Sequence, residues 1–236
     1  MIQKLYKQSS LIILLLSFII LFNKCEKEED TVVDIDGNIY HVITIGSQTW
    51  MLENLKTTKL NDGTPLWSGA DTLLWRYGGQ TGSPLYCWYD NDSLTYMEDY
   101  GALYNYNVVK TDKICPKGWH VPTYEEWVIL IEPLGDSIRG VIAGGKLKEI
   151  GTIHWNEPNE GANNISGFTA LPGGFRDTQG YYHSMGISGR WWGSTLIMNG
   201  LWFEPCYLGL YTMGSGQILM GYPESSGFSI RCIKDD

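Results

Sequence analysis

Ile114-Cys115-Pro116-Lys117-Gly118-Trp119-His120-Val121-Pro122-Thr123-Tyr124-Glu125-Glu126-Trp127 sets a cysteine, a tight turn and a helix start in succession. Thr123 is placed to accept from the Glu126 amide while the Glu126 carboxylate reaches back to Thr123, the reciprocal capping box that opens a helix. Trp127, Leu130 and Ile131 then recur at i, i+3 and i+4, which gives one apolar face for a core, and Pro133 stops the run. A second, weaker helix reads from near Ser137 through Val141, Ile142 and Leu147 to Gly151, with Gly144-Gly145 working against it.

Upstream of this stretch, Gly37-Asn38 offers a turn. Ile39, His41, Ile43 and Ile45 alternate with Tyr40, Val42 and Thr44, a strand expected to be buried on both faces. Gly46-Ser47 reverses the chain and residues 48–55 return, so a hairpin is expected. Asn61-Asp62-Gly63-Thr64-Pro65 is a turn cluster. Residues 66–113 show little periodicity but many aromatics, among them Tyr86, Trp88, Tyr89, Tyr100, Tyr104 and Tyr106, and read as long loops pinned by rings. Downstream, strands are expected at 168–175, 180–185, 190–194, 201–208, 217–222 and 228–233, separated at short spacing by Gly and Ser. With 28 Gly, 10 Trp and 15 Tyr and few long amphipathic stretches, the chain reads as a loop-rich extracellular domain whose aromatics fill the space between short strands.

The amino end carries a different message. Lys4 and Lys7 precede an apolar run from Leu11 to Phe22 that is too short to span a bilayer as a mature helix, and Asn23-Lys24-Cys25 breaks it. Residues 1–24 read as a lipoprotein signal peptide with Cys25 as the lipidated residue, although Lys24 departs from the small residue usual before such a cysteine. Plain secretion and an uncleaved anchor are the alternatives. Residues 25–34, opening Glu26-Lys27-Glu28-Glu29-Asp30, read as an acidic tether that stays solvated. The stretch resembles a surface-export tag of lipoproteins in Bacteroidetes-like bacteria, so the expected place is the outer membrane, lipid-anchored and facing outward. Losing Lys4, Lys7 and Lys24 moves the formal charge from −9 to about −12, which excludes nucleic acid as a partner. Residues 35–236 can form one domain. With Cys25 assigned to lipid, Cys87, Cys115, Cys206 and Cys232 allow three pairings in an oxidising compartment. Cys115–Cys232 is favoured because it ties the central motif to the last strand, and Cys87–Cys206 follows by remainder.

Cys115 to Trp127, Gly144-Gly145-Lys146-Leu147-Lys148-Glu149, Gly167-Phe168-Thr169-Ala170-Leu171-Pro172-Gly173-Gly174-Phe175-Arg176 and Gly227-Phe228-Ser229-Ile230-Arg231-Cys232 closely resemble the Fibrobacter succinogenes major paralogous domain. Gly37 to Leu55 and Tyr100 to Asn105 join the match, which covers nearly all of residues 35–236. The resemblance implies an exported, often lipidated bacterial surface protein. More distantly, the Gly-Trp-x-x-Pro-Thr-x-x-Glu-Trp element and the closing Gly-Phe-x-x-Arg-Cys resemble C-type-lectin-like domains and formylglycine-generating enzymes (sulfatase-modifying-factor-like). That resemblance implies an α+β fold: a twisted, mostly antiparallel sheet with two short helices and long loops, the chain ends meeting in the sheet. Cys115–Cys232 would then match the bridge between first helix and last strand of lectin-like folds. The copper-dependent oxidase chemistry of formylglycine-generating enzymes does not carry over, since Cys206 and Cys232 lie far apart.

Two stretches invite a ligand. Asp90-Asn91-Asp92 sets oxygen side chains in a row as calcium loops do, but no Gly sits at the sixth position and no Glu at the twelfth, so a structural turn is the plainer reading. Glu157-Pro158-Asn159 resembles the triplet with which calcium-dependent lectins hold the ion and a sugar, while the companion Trp-Asn-Asp is absent. A turn held by Asn side chains is again the plainer reading. If the site exists, Glu157, Asn159, Glu160, Asn163 and Asn164 supply oxygens and Trp155 a sugar-stacking face, with Glu157, Asn159, Asp90 and Asp92 the candidate calcium ligands. Trp191, Trp192 and Trp202 are candidates for a carbohydrate platform or for the core. His41, His120, His154 and His183 have no serine or cysteine motif beside them, and no spacing for zinc appears, so no catalytic residue is named. The leading expectation is a cell-surface binding or adhesion module, for glycans or surface proteins. A structural envelope protein comes next and an enzyme last.

Overall fold

The computed structural model describes residues 30–135 and 140–236. In chain order it holds β1 (Thr31–Val33), β2 (Ile39–Ile45), β3 (Gln48–Met51), β4 (Trp67–Ser68), α1 (Thr72–Thr81), β5 (Leu85–Cys87), α2 (Ser93–Tyr100), β6 (Leu103–Asn105), α3 (Tyr106–Val109) and β7 (Trp119–His120). Then follow α4 (Tyr124–Ile131), α5 (Ala143–Leu147), β8 (Gly173–Arg176), β9 (Tyr182–Met185), β10 (Ser188–Asn199), β11 (Trp202–Tyr211), β12 (Gln217–Gly221), β13 (Gly227–Phe228) and β14 (Ile233–Lys234). One sheet runs β1-β2-β3-β14-β7 and the other β12-β11-β10-β8-β13-β6-β5-β4, with β9 on β8. Among the described strands β10–β8 and β4–β5 pair in parallel, and the other strand pairs are antiparallel. The architecture is sheet-rich α+β, mostly antiparallel and curled, with short helices.

The opening motif folds as its residues dictate. Thr123 accepts from the Glu126 amide and Glu126 reaches back to the Thr123 amide, so both orphan donors of the first turn are met. Trp127, Leu130 and Ile131 face the core, and Trp127 stacks on Trp50 with centroids 4.9 Å apart. The helix passes at Glu132 into a 3-10 turn that contains Pro133. The β2–β3 hairpin forms as expected, and β14 pairs with β3 and β7, so the ends of the domain meet in one sheet. Cys115 and Cys232 are bonded.

Several expectations are corrected. Cys87 and Cys206 are free and buried, not bridged: Cys87 packs beside Trp75, Leu85 and Leu103, while Cys206 lies in β11 next to Gly193, so each thiol fills a different part of the core. β2 is not buried on both faces, since Tyr40 is buried but Ile39 is exposed. Residues 66–113 are not long loops, but hold α1, α2, α3 and three strands, so five α-helices stand among the described residues where two were expected. Residues 31–33 do not stay solvated as part of a tether, because Thr31–Val33 pairs with β2. The second helix shrinks to Ala143–Leu147: Gly144 and Gly145 lie where an added Cβ would fall 2.0 Å from the Gly216 carbonyl oxygen and 2.3 Å from that of Gly161, so backbone contact sets this element. Residues 1–24 and Cys25 lie outside the described residues. Among the described residues no helix is long and apolar enough to cross a membrane.

Candidate functional site

The loop at 154–164 is a surface turn anchored inward by Trp155 and Asn159. Asn159 is buried, and its Nδ2 donates to the carbonyls of Glu149 (2.9 Å) and Gly151 (2.7 Å), with Oδ1 left without a partner. Asn163 Oδ1 accepts from the Ile165 amide, and Asn164 binds Thr169 through both amide atoms. Glu157 and Glu160 are exposed. Beneath them, fully buried Lys148 donates to the carbonyls of Glu160, Tyr211 and Gly214, each at 2.9 Å, and its ammonium lies over the Trp155 ring. Burial pushes this ammonium down to about 8. Asn159 is therefore held by backbone carbonyls, while Asn163 and Asn164 spend their side chains on bonds within the turn.

The tryptophans divide. Trp155, Trp191 and Trp192 are fully buried, which removes them from any sugar platform: Trp155 donates to the Ala170 carbonyl, Trp191 to Asn54 Oδ1 and Trp192 to the Tyr104 carbonyl. Trp202 alone of the four is open, at 75 % exposure. Asp90 and Asp92 serve the turn before α2, where Asp92 accepts from the amide and hydroxyl of Thr95. Among the described residues no group of three or more His, Cys, Asp or Glu is arranged to hold a metal ion. Each histidine meets a carboxylate: His41 with Glu53, His120 with Glu126 and Asp235, His154 with Glu149, His183 with Asp177.

Trp202 belongs to a projecting arm. β10 and β11 pair in register from Ser188 to Trp192, break at a bulge, and resume from Leu196 opposite Pro205 to Asn199 opposite Trp202. The bulge bends the ribbon. Beyond it the side chains of Met198, Leu201, Trp202 and Phe203 are 67–93 % exposed. Asn199 ties the arm back, its Nδ2 donating to Glu204 and to the Gly221 carbonyl (3.2 Å) at the end of β12. Below lies a cleft of about 570 Å³ lined by Tyr124, Ile197, Met198, Asn199 and residues 217–221. β12, the sheet's last strand, lends residues 217–221 to this cleft. Sequence reasoning named Trp202 but not Met198, Leu201, Phe203 or the cleft. The available signal was the run Leu201-Trp202-Phe203 beside Gly200, three bulky apolar residues that an alternating strand cannot all turn inward.

The family model described as the Fibrobacter succinogenes major domain matches residues 43–234. The chain belongs to this family. The match runs from β2 through β14, so the disulfide, the arm and the cleft all lie inside the family domain. No curated protein and no solved structure gives a match.

Proposed function

We propose that this member of the family is a lipid-anchored module of the bacterial outer surface that binds carbohydrate with the β10–β11 arm and the cleft beneath it. A lectin-like sheet serves as its scaffold. The observation that carries the reading is the arm itself: Met198, Leu201, Trp202 and Phe203 stand in water beside a cleft bordered by Asn199, Gln217 and Tyr124. Exposed indole and phenyl faces next to amide and hydroxyl groups match the apolar faces and hydroxyls of a sugar. The anchor half of the proposal is supported by Lys4, Lys7, the apolar run to Phe22 and Cys25. Binding is expected to be indifferent to calcium, since Asn159 spends its amide on the Glu149 and Gly151 carbonyls.

The test is a glycan array probed with the full chain in detergent, in calcium and in chelator. Wild-type binding that is lost in Trp202→Ala and unchanged by chelator supports the arm. Binding that survives Trp202→Ala but disappears in chelator would move the site back to Glu157 and Asn159.

A further inference from the structure

Three arginines lie against aromatic rings in this fold, and two are fully provided for. Arg231 gives Nη1 to the Phe168 carbonyl and Nε and Nη2 to Asn54 Oδ1. Arg176 gives its three nitrogens to the carbonyls of Gly180, Gly69 and Ala70. Arg190, on β10, stands in the largest aromatic box, its guanidinium carbon 3.6 Å from the Phe175 centroid and 5.3–5.9 Å from those of Tyr222, Phe228, Tyr207 and Tyr211. Yet its Nε and Nη1 are buried with no hydrogen-bond partner. Ser188, two residues earlier on the same face of β10 and opposite Tyr211, is 1 % exposed, and its Oγ is also without a partner.

Ring faces attract a guanidinium but accept its N–H groups only weakly, and buried donors without acceptors are costly and few in native folds. Here three such groups stand on residues i and i+2 of one face of β10, and each can donate. Among the described residues no carboxylate pairs with Arg190. We infer that Arg190 and Ser188 receive the carboxylate of an acidic sugar, a uronate unit of a polysaccharide. A guanidinium fork and one hydroxyl match the two oxygens of a carboxylate, whereas a tetrahedral oxyanion would keep further oxygens unmet. Half-buried Tyr211 and Tyr222 form the open side of the box and give the sugar ring its stacking faces. The sugar half of this inference rests on the glycan reading above; the anion half stands on the unmet donors.

The experiment follows the arginine Nε–Hε signals of the full chain in detergent during titration with trigalacturonate, its methyl ester and acetate. Saturable movement of the Arg190 signal with trigalacturonate and not with the ester is expected. Arg190→Met is expected to weaken trigalacturonate binding about ten- to hundredfold or more, and also to raise the melting temperature, because an apolar chain of similar length removes buried unmet donors. Should Arg190→Met fail to fold, Arg190→Lys, which keeps the charge and loses the fork, should still bind at least about tenfold less tightly. Trigalacturonate binding retained in either variant but lost in Trp202→Ala would overturn the Arg190 site and leave the arm as the glycan surface. Acetate moving the Arg190 signal while no sugar binds anywhere would overturn the uronate assignment together with the glycan reading, leaving a bare anion pocket.

Discussion

His120 shows how much one side chain can couple in this chain. Its Nε2 lies 2.8 Å from Glu126 and its Nδ1 2.7 Å from Asp235, so the helix cap, β7 and the carboxyl-terminal segment share one imidazole. The hydrogen bond to Glu126 leads in raising its pKa to about 9, against some opposition from burial and with Asp235 assisting. A raised folded-state pKa means that the stabilisation is fully present below the unfolded value of about 6.5 and fades as pH rises through about 9. Glu126 meets a burial penalty, yet its bonds to His120 and Thr123 hold it below the ordinary carboxylate range, so its own contribution is present above that range and fades in acid. An NMR titration should therefore place the His120 midpoint near 9, and the stability gap between wild type and His120→Gln should shrink from pH 6 to pH 10. A midpoint at the ordinary histidine value would remove the double ion pair from the account. At this same scale the sequence is least legible. Nothing in the local pattern marks Lys148 as fully buried, or Asn54 Oδ1 as the acceptor for Trp191 and both Arg231 nitrogens, because those partners arrive from segments about 60 to 180 residues away.

At the scale of elements, what local chemistry encodes was readable and what packing encodes was not. The capping box of α4 is written within four residues, and Thr123→Ala is expected to cost about 1 kcal/mol in denaturant unfolding with little change in the folded structure. A neutral result would mean that Pro122 and the sheet hold the helix start without it. By contrast, α1 contains Gly78 and Gly79, each unfavourable in a helix interior, and reads as loop. Its glycines are required by close approach, since a Cβ at Gly78 would fall 2.5 Å from Leu85 Cδ1 and one at Gly79 2.5 Å from Ser225 Cβ. Capping by Asp71, the left-handed Gly82 and the burial of Trp75 against Arg176 outweigh propensity. Only the β11 side of the arm was legible as a strand, within residues 201–208; the β10 side runs on past residue 194 to Asn199, because the bulge carries the pairing, and the side chains beyond it, out of the register read from the core.

For the whole molecule, the decisive link is Cys115–Cys232, 117 residues apart, which fastens the segment before α4 to the segment before β14. Closing a loop of that length is worth roughly 4–5 kcal/mol in the chain-entropy account, so reduction should lower the denaturation midpoint sharply. The thiols supply a second readout. Cys206 is pushed up to about 12 by burial and Cys87 is raised by the same cause, so the non-reduced domain should show no reactive thiol when folded and two when denatured. No thiol on denaturation would restore the Cys87–Cys206 bridge. The pairing that tied two recognisable motifs was legible; the pairing by remainder was not, because arithmetic on cysteines ignores that a small apolar thiol also suits a core. By itself the sequence determined the family, the capped helix and the β2–β3 hairpin, all carried by short contiguous motifs, while the resemblance of those motifs implied the meeting of the chain ends and the position of the cysteines favoured the first disulfide. Tertiary structure alone decided which tryptophans are core and which stands in water, that Asn159 turns its amide inward, and that Nε and Nη1 of Arg190 have no acceptor among the described residues. Exposure and hydrogen-bond satisfaction belong to pairs of distant segments, and no local pattern records whether such a pair will meet.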